Sequence, residues 1–155
     1  SPGKHGIHIH AVGTCSPPNF TSAASHFNPE FKKHGLKNAE GPHAGDLPNL
    51  EVGSDGTGKL DYVNPRVTLA TGPSNSLLRV NGTSLVIHAQ ADDDMTDPSG
   101  NSGARISCGV IVAAGPKLGP LPSWLLAVAA AVLLVSGFAL FRSFSKRSPS
   151  ALSSR

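Results

Sequence analysis

The sequence is poor in several residue classes. Of its 155 residues only 15% are charged and 5% aromatic, with one Trp, one Tyr and one Met. Such values argue against a coiled coil, a long helical bundle or a collagen-like chain. No long amphipathic helical pattern and no internal repeat is present. Strong disorder is excluded as well, because net charge is small and apolar runs recur. There is no stripe of Lys and Arg with interleaved aromatics. Residues 1–117 carry nine Lys/Arg against ten Asp/Glu, a net charge of −1, and the formal +3 comes from Arg142, Lys146, Arg147 and Arg155. That balance argues against a nucleic-acid partner. The chain opens on Ser1 with neither Met nor a signal peptide, so upstream sequence is expected to be missing.

The length suits one domain of ordinary size. Trp124 to Phe141 is an 18-residue run without charge. Eighteen helical residues rise about 27 Å and 21 rise about 31 Å, against a hydrocarbon core of roughly 30 Å. The expected organisation is a folded part over 1–112, a Pro- and Gly-rich linker over 113–120, one transmembrane helix over 121–141 and a basic tail over 142–155. Trp124 sits where interfacial anchors sit, and the positive residues after the run favour the cytoplasmic side. The chain is therefore expected in the cell membrane as a single-pass protein, with residues 1–112 outside.

Residues 1–112 read as all-β. His5–Val12 alternates apolar and polar residues, and short apolar runs follow at Leu47–Val52, Lys59–Val63, Val67–Leu69, Ser84–Ile87 and Ile106–Ala113. Asp55-Gly56 between two of them is a hairpin signal. Short strands with long connections suggest an antiparallel sandwich or barrel. The stretches 13–45 and 89–104 are too long for idle loops.

All seven histidines lie in the first 88 residues. His8 and His10 are two apart on an expected strand, so their rings leave one face while Ile7 and Ile9 leave the other. Two imidazoles on one face can reach one ion, although two surface histidines would give the same pattern. His26, His34, His43 and Asp46 offer three imidazoles and a carboxylate, a four-coordinate set that suits zinc. A loop that happens to be rich in histidine would read alike.

Five segments carry a more specific signal. They are residues 4–10 (KHGIHIH), 26–29 (HFNP), 43–49 (HAGDLPN), 86–89 (VIHA) and 100–111 (GNSGARISCGVI). In this order they resemble the Cu,Zn superoxide dismutases, especially the bacterial members, over about 110 residues. The resemblance implies copper and zinc as cofactors, with His8, His10, His26 and His88 as copper ligands. It implies His26, His34, His43 and Asp46 as zinc ligands, with the His26 imidazolate bridging the two ions. Asp92 matches the carboxylate that links a copper ligand to a zinc ligand, and such partners fix ring angle and tautomer. Arg105 matches the cation that receives the anion, and His26 and Arg105 are the residues expected to act in catalysis. Cys15 and Cys108 match a disulfide. His5 is left as a hydrogen-bonded structural residue behind the site. The implied reaction converts superoxide to dioxygen and hydrogen peroxide by Cu(II)/Cu(I) cycling.

The family fold is an eight-stranded Greek-key barrel, and residues 1–112 supply about five of those strands. The expected consequence is unpaired sheet edges and exposed apolar surface, so that the chain alone folds poorly or associates through its edges. The resemblance also allows a homodimer. Residues 89–104 contain no Lys or Arg but do contain Asp92, Asp93, Asp94 and Asp97, which predicts weak steering of an anionic substrate. Two rival readings stand beside the enzyme. One is a non-enzymatic copper- or zinc-binding module with a degenerate dismutase fold. The other is a partner-binding domain that retains the fold alone.

Overall fold

A computed structural model describes residues 1–115. The expected transmembrane helix and basic tail lie outside the described residues, as does most of the linker. Among the described residues no helix is long and apolar enough to cross a membrane.

Five strands form two antiparallel sheets. They are β1 (Gly3–His5), β2 (Ile7–His10), β3 (Leu50–Val52), β4 (Thr83–His88) and β5 (Arg105–Ile111). One sheet pairs β1 with β3 and the other has the order β2-β4-β5. The one helix among the described residues is a single 3-10 turn at Thr21–Ala23. This is the all-β antiparallel class, with strands joined by long connections.

The first apolar run becomes two strands rather than one, because Gly6 interrupts it. The Gly6 amide donates to the Gln90 carbonyl and its own carbonyl accepts from the His88 amide, both at 2.8 Å. A Cβ at this position would stand 2.7 Å from Cβ of Ser102. Glycine lets the backbone come this close, and the chain changes sheets here. β2 then runs antiparallel to β4, with His8 opposite Val86 and His10 opposite Ser84.

All four residues of β2 are buried, by different neighbours on each face. Ile7 and Ile9 join Phe27, Ala44, Leu47, Leu50 and Leu77 in the apolar core, with Leu85, Ile87 and Ile111 packed against it. His8 and His10 face away from that cluster and are fully buried. The cover on their side is drawn from the connections 11–49 and 89–104, which carry the ring partners described below. Buried hydroxyls on β4 find acceptors: Thr83 Oγ1 donates to the Leu77 carbonyl at 3.1 Å and Ser84 Oγ to Val12 at 2.8 Å. Buried polar groups need such partners, so the polar start of β4 is compatible with its depth.

Two expected strands do not form. The Asp55-Gly56 turn is present, with Gly56 at φ +81° and the Gly53 amide donating to the Thr57 carbonyl at 2.8 Å. Beyond it only one bridge, Val52 to Gly58, continues the hairpin, and Lys59–Val63 is mostly exposed. Val67–Leu69 makes one parallel bridge, Thr68 to Ser76. A two-stranded ribbon alone is marginal in water, and Pro65 removes a donor between the two runs. β5 is an outer strand, with Ile106 and Val110 about half exposed. The expected apolar surface is thus found along this edge.

Cys15, in the connection after β2, is joined to Cys108 on β5 with their Cα atoms 5.6 Å apart. The sequence separation is 93 residues. Closing so long a loop restricts the unfolded chain strongly. Replacing both cysteines with serine should lower the unfolding free energy by about 2–5 kcal/mol. An unchanged urea midpoint would show that the connection is held without the bond.

Candidate metal centre

Backbone pairing along the free side of β2 brings the histidines together. The Ile9 amide donates to Gly45 (2.9 Å), its carbonyl accepts from Phe27 (2.8 Å), and the Gly45 amide donates to Phe27 (2.8 Å). Bridges join His10 to His26 and His8 to Asp46. A Cβ on Gly45 would overlap the Ile9 carbonyl oxygen, so only glycine fits between the two segments. His88 arrives from the end of β4, where a bulge sets it opposite Arg105.

The ring nitrogens divide into held and free. His8 Nε2–H donates to Asp92 Oδ2 at 2.6 Å. His10 Nδ1–H donates to the Ala24 carbonyl at 2.8 Å, and His88 Nδ1–H to the Gly103 carbonyl at 3.1 Å. The other nitrogen of each ring is buried without a hydrogen-bond partner, and so is His26 Nε2. One atom from each of His8, His10, His26 and His88 lies within 4.8 Å of the other three. Four buried lone pairs converging with nothing to accept from suit a cation.

A second set adjoins the first. Asp46 Oδ1 lies 3.1 Å from Nδ1 of His26, 3.1 Å from Nδ1 of His34 and 3.3 Å from Nδ1 of His43. Nitrogen and oxygen ligands about 2.0–2.1 Å from a tetrahedral zinc stand roughly 3.3–3.4 Å apart, so the spacing fits. Asp46 Oδ2 is occupied by the amides of Gly35 and His43, both at 2.9 Å, which leaves Oδ1 for this set. His26 alone faces both sets, Nε2 to one and Nδ1 to the other. Asp92 joins them from outside, with Oδ2 on His8 and Oδ1 on His34 Nε2 at 3.0 Å.

Arg105 is partly buried and bound from two sides. Its Nη1 donates to the Phe20 carbonyl at 2.7 Å and its Nη2 to Ala24 at 2.6 Å. Phe20 and Ala24 flank the 3-10 turn with φ of 51° and 62°, backbone values uncommon outside glycine. The Ala24 oxygen also accepts from His10, so the guanidinium and a ring of the first set share one acceptor. His5 lies behind the site, with Nδ1 2.8 Å from the His88 carbonyl and Nε2 2.9 Å from that of Ser1.

The acids of the 89–104 connection are not free charges. Asp94 pairs with Lys37 at 2.9 Å and Asp97 with Lys33 at 3.3 Å. Asp93 Oδ1 accepts the amides of Met95 (2.9 Å) and Thr96 (2.8 Å). The charges of Asp94 and Asp97 are therefore matched by lysines of another connection, while Asp93 is held by uncharged donors.

Sequence reading assigned no role to Gly100 or Asn49. Gly100 has φ +62°, and a Cβ there would overlap Asp92 Oδ1 and stand 2.8 Å from His34 Nε2. Gly100→Ala should break the Asp92–His34 link and lower zinc affinity by at least the tenfold to hundredfold typical of lost outer partners. Unchanged zinc affinity in a chelator competition would contradict this. The signal for both residues was their place inside the recognised segments.

Burial controls protonation in the first set. It pushes the His10 pKa down to about 3 and that of His26 to about 4, and it lowers His8 and His88 too. Arg105 adds to the depression at His10 and His88. These rings are neutral at pH 7, as metal ligands must be. Burial would also lower His34, but hydrogen bonds to Asp46 and Asp92 outweigh it and hold that ring at about 9. Burial works against the ionised form of Asp46, yet hydrogen bonds from His26 and His34, with the His43 ring close by, hold it well below the carboxylate range.

The signs give a pH profile for the metal-free chain. His10 and His26 reject protons that the unfolded chain accepts below its ordinary histidine pKa of 6.5. Their stabilisation is present above pH 6.5 and is lost as pH falls towards 4 and 3. His34 has the opposite sign: its contribution is complete below 6.5 and is lost as pH rises through about 9. Urea midpoints should therefore peak near pH 6–7. A midpoint still rising at pH 9 would contradict this.

The comparisons with known proteins agree with the geometry. The family described as copper/zinc superoxide dismutase (SODC) matches residues 1–111. Superoxide dismutase [Cu-Zn] 1 of Aquifex aeolicus is 55% identical over 105 residues, 68% of this chain and 62% of that protein. The superoxide dismutase-like protein YojM of Bacillus subtilis is 49% identical over 114 residues, 72% of this chain and 57% of its own. The chain thus spans about three fifths of the length of these curated relatives. The crystal structure of a double mutant of a SOD-like protein from Bacillus subtilis superposes with a TM-score of 0.70 at 50% identity. That likeness covers 73% of this chain and 74% of the other. The family implies copper and zinc, and the unpartnered nitrogens beside a tetrahedrally spaced set fit both ions. From the first strand to the last, the described fold is that of its relatives, and the chain belongs to the copper/zinc superoxide dismutase family.

Proposed function

We propose that the protein is a superoxide dismutase, converting superoxide to dioxygen and hydrogen peroxide. Nδ1 of His8 and Nε2 of His10, His26 and His88 would hold copper. Nδ1 of His26, His34 and His43 with Oδ1 of Asp46 would hold zinc. Copper supplies the one-electron chemistry through its two oxidation states, while zinc, which has none, would fix the connection and polarise His26. The chain's own contribution is placement and protons. Arg105, pinned on two carbonyls, offers its remaining N–H groups to a small anion. His26 can take up a proton at Nε2 and pass it on while Nδ1 stays directed at Asp46. The observation that carries this reading is the shared His26, the one ring that faces both sets.

The test is elemental analysis of the metal-loaded full chain paired with a superoxide assay. One copper and one zinc per chain with rapid turnover is expected. Two ions without turnover would favour a metal-binding module, a reading encouraged by the "superoxide dismutase-like" name of the Bacillus subtilis relative. We also propose that the chain is tethered in the cell membrane, with the metal centre outside. The uncharged run from Trp124 to Phe141, the basic residues after it and the Cys15–Cys108 bond support this. Recovery of the full chain from the soluble fraction would defeat that part. A homodimer would fit the same reading, and sedimentation of the loaded chain would test it.

A further inference from the structure

Asp92 is the single carboxylate in contact with a histidine unique to each set, and its backbone is held by one side chain. Asn49 Oδ1 accepts the Asp92 amide at 2.7 Å, and Asn49 Nδ2 donates to the Asp92 carbonyl at 2.8 Å. The side-chain amide pairs with both main-chain groups as a neighbouring strand would. Asn49 follows Asp46 by three residues and directly precedes Leu50, which pairs with His5 in the β1–β3 sheet. The anchor is thus a strand end beside one ligand, and the object held is the carboxylate behind two others.

We propose that Asn49 is the positioning residue that couples the two metal sets, acting through Asp92. The inference rests on the two-ion reading above. Asp92 must place one oxygen 2.6 Å from His8 Nε2 and the other 3.0 Å from His34 Nε2. Its side chain has two torsions, so with the backbone clamped both oxygens are fixed together. With the backbone loose, either link can form at the expense of the other. Asparagine meets the need because it carries a donor and an acceptor on one short planar group. Aspartate would face the Asp92 carbonyl without a proton to offer.

The test is a double-mutant cycle on the full chain, read by zinc affinity in a chelator competition and by the visible spectrum of cobalt(II) in the zinc set. Asn49→Ala should weaken zinc binding about tenfold or more, the scale on which outer partners act. Asp92→Ala should do at least as much, and both single variants should shift the cobalt spectrum in the same direction. In the Asp92→Ala background, Asn49→Ala should cost nothing further, because its route has gone. A full additional loss there would make Asn49 a structural residue and overturn the inference. So would unchanged affinity in a folded Asn49→Ala chain of lowered thermal stability. Asn49→Ser, which retains a short hydroxyl, serves if the alanine variant does not fold. A wild-type chain that binds no zinc would overturn both this inference and the two-ion reading. Zinc bound normally with an additive cycle would overturn this inference alone.

Discussion

Replacing His26 with alanine should cost the chain both metals at once. His10→Ala should mainly lower copper and His43→Ala mainly zinc. The asymmetry follows from the nitrogens: His10 offers Nε2 to one set while Nδ1 holds Ala24, and His43 turns Nδ1 to the other. His26 has a nitrogen in each. The loss should exceed the tenfold to hundredfold that follows removal of an outer partner, because on the proposed reading a direct ligand of two ions disappears. Elemental analysis of the three variants, with superoxide turnover measured on each, checks this. A His26→Ala chain that keeps full zinc and loses only copper would remove the basis for a shared ring.

Arg105→Ile should produce the opposite pattern, with both ions retained and turnover reduced. The guanidinium contacts no ring nitrogen; it is held by the Phe20 and Ala24 carbonyls. Charge-assisted hydrogen bonds are worth about 1.5–3 kcal/mol, so the expected fall in turnover is roughly tenfold to a hundredfold. Arg105→Lys should fall between, since an ammonium keeps the charge but cannot span two carbonyls and still face a ligand. If Arg105→Ile loses copper in proportion to activity, the residue is a support for His10 rather than the anion's receptor. Lowering ionic strength should speed wild-type turnover only modestly, because Asp94 and Asp97 of the 89–104 connection are matched by Lys37 and Lys33 while Asp93 carries no lysine partner.

β2 was legible in the sequence because its information is local. A period of two puts Ile7 and Ile9 on one face and His8 and His10 on the other, and no distant residue can change that. The second set was not legible from spacing. His26, His34, His43 and Asp46 could be grouped by their chemistry as a zinc set, but they meet through contacts with β2 that no short pattern encodes, and resemblance to a family decided between that set and a loop rich in histidine. Asp92 meets His8 across 84 positions. The runs at 59–63 and 67–69 show the converse failure, since short apolar runs are present but no neighbouring strand completes a ladder. The partners of the acidic connection were not legible for a related reason. Its countercharges, Lys33 and Lys37, lie about sixty positions upstream, so a count confined to 89–104 could not include them.

The free nitrogens of His8, His10, His26, His43 and His88 have a consequence for the life of the protein in a cell. An interior that leaves such atoms unanswered is completed by ions rather than by other atoms of the chain, so much of the reward for folding is delivered only on loading. Newly made molecules that have not yet been loaded are the ones that open most often, and proteases take what opens. The standing amount of this protein should therefore follow the supply of copper and zinc at constant synthesis. Scarcity would thin the population rather than leave it intact and idle.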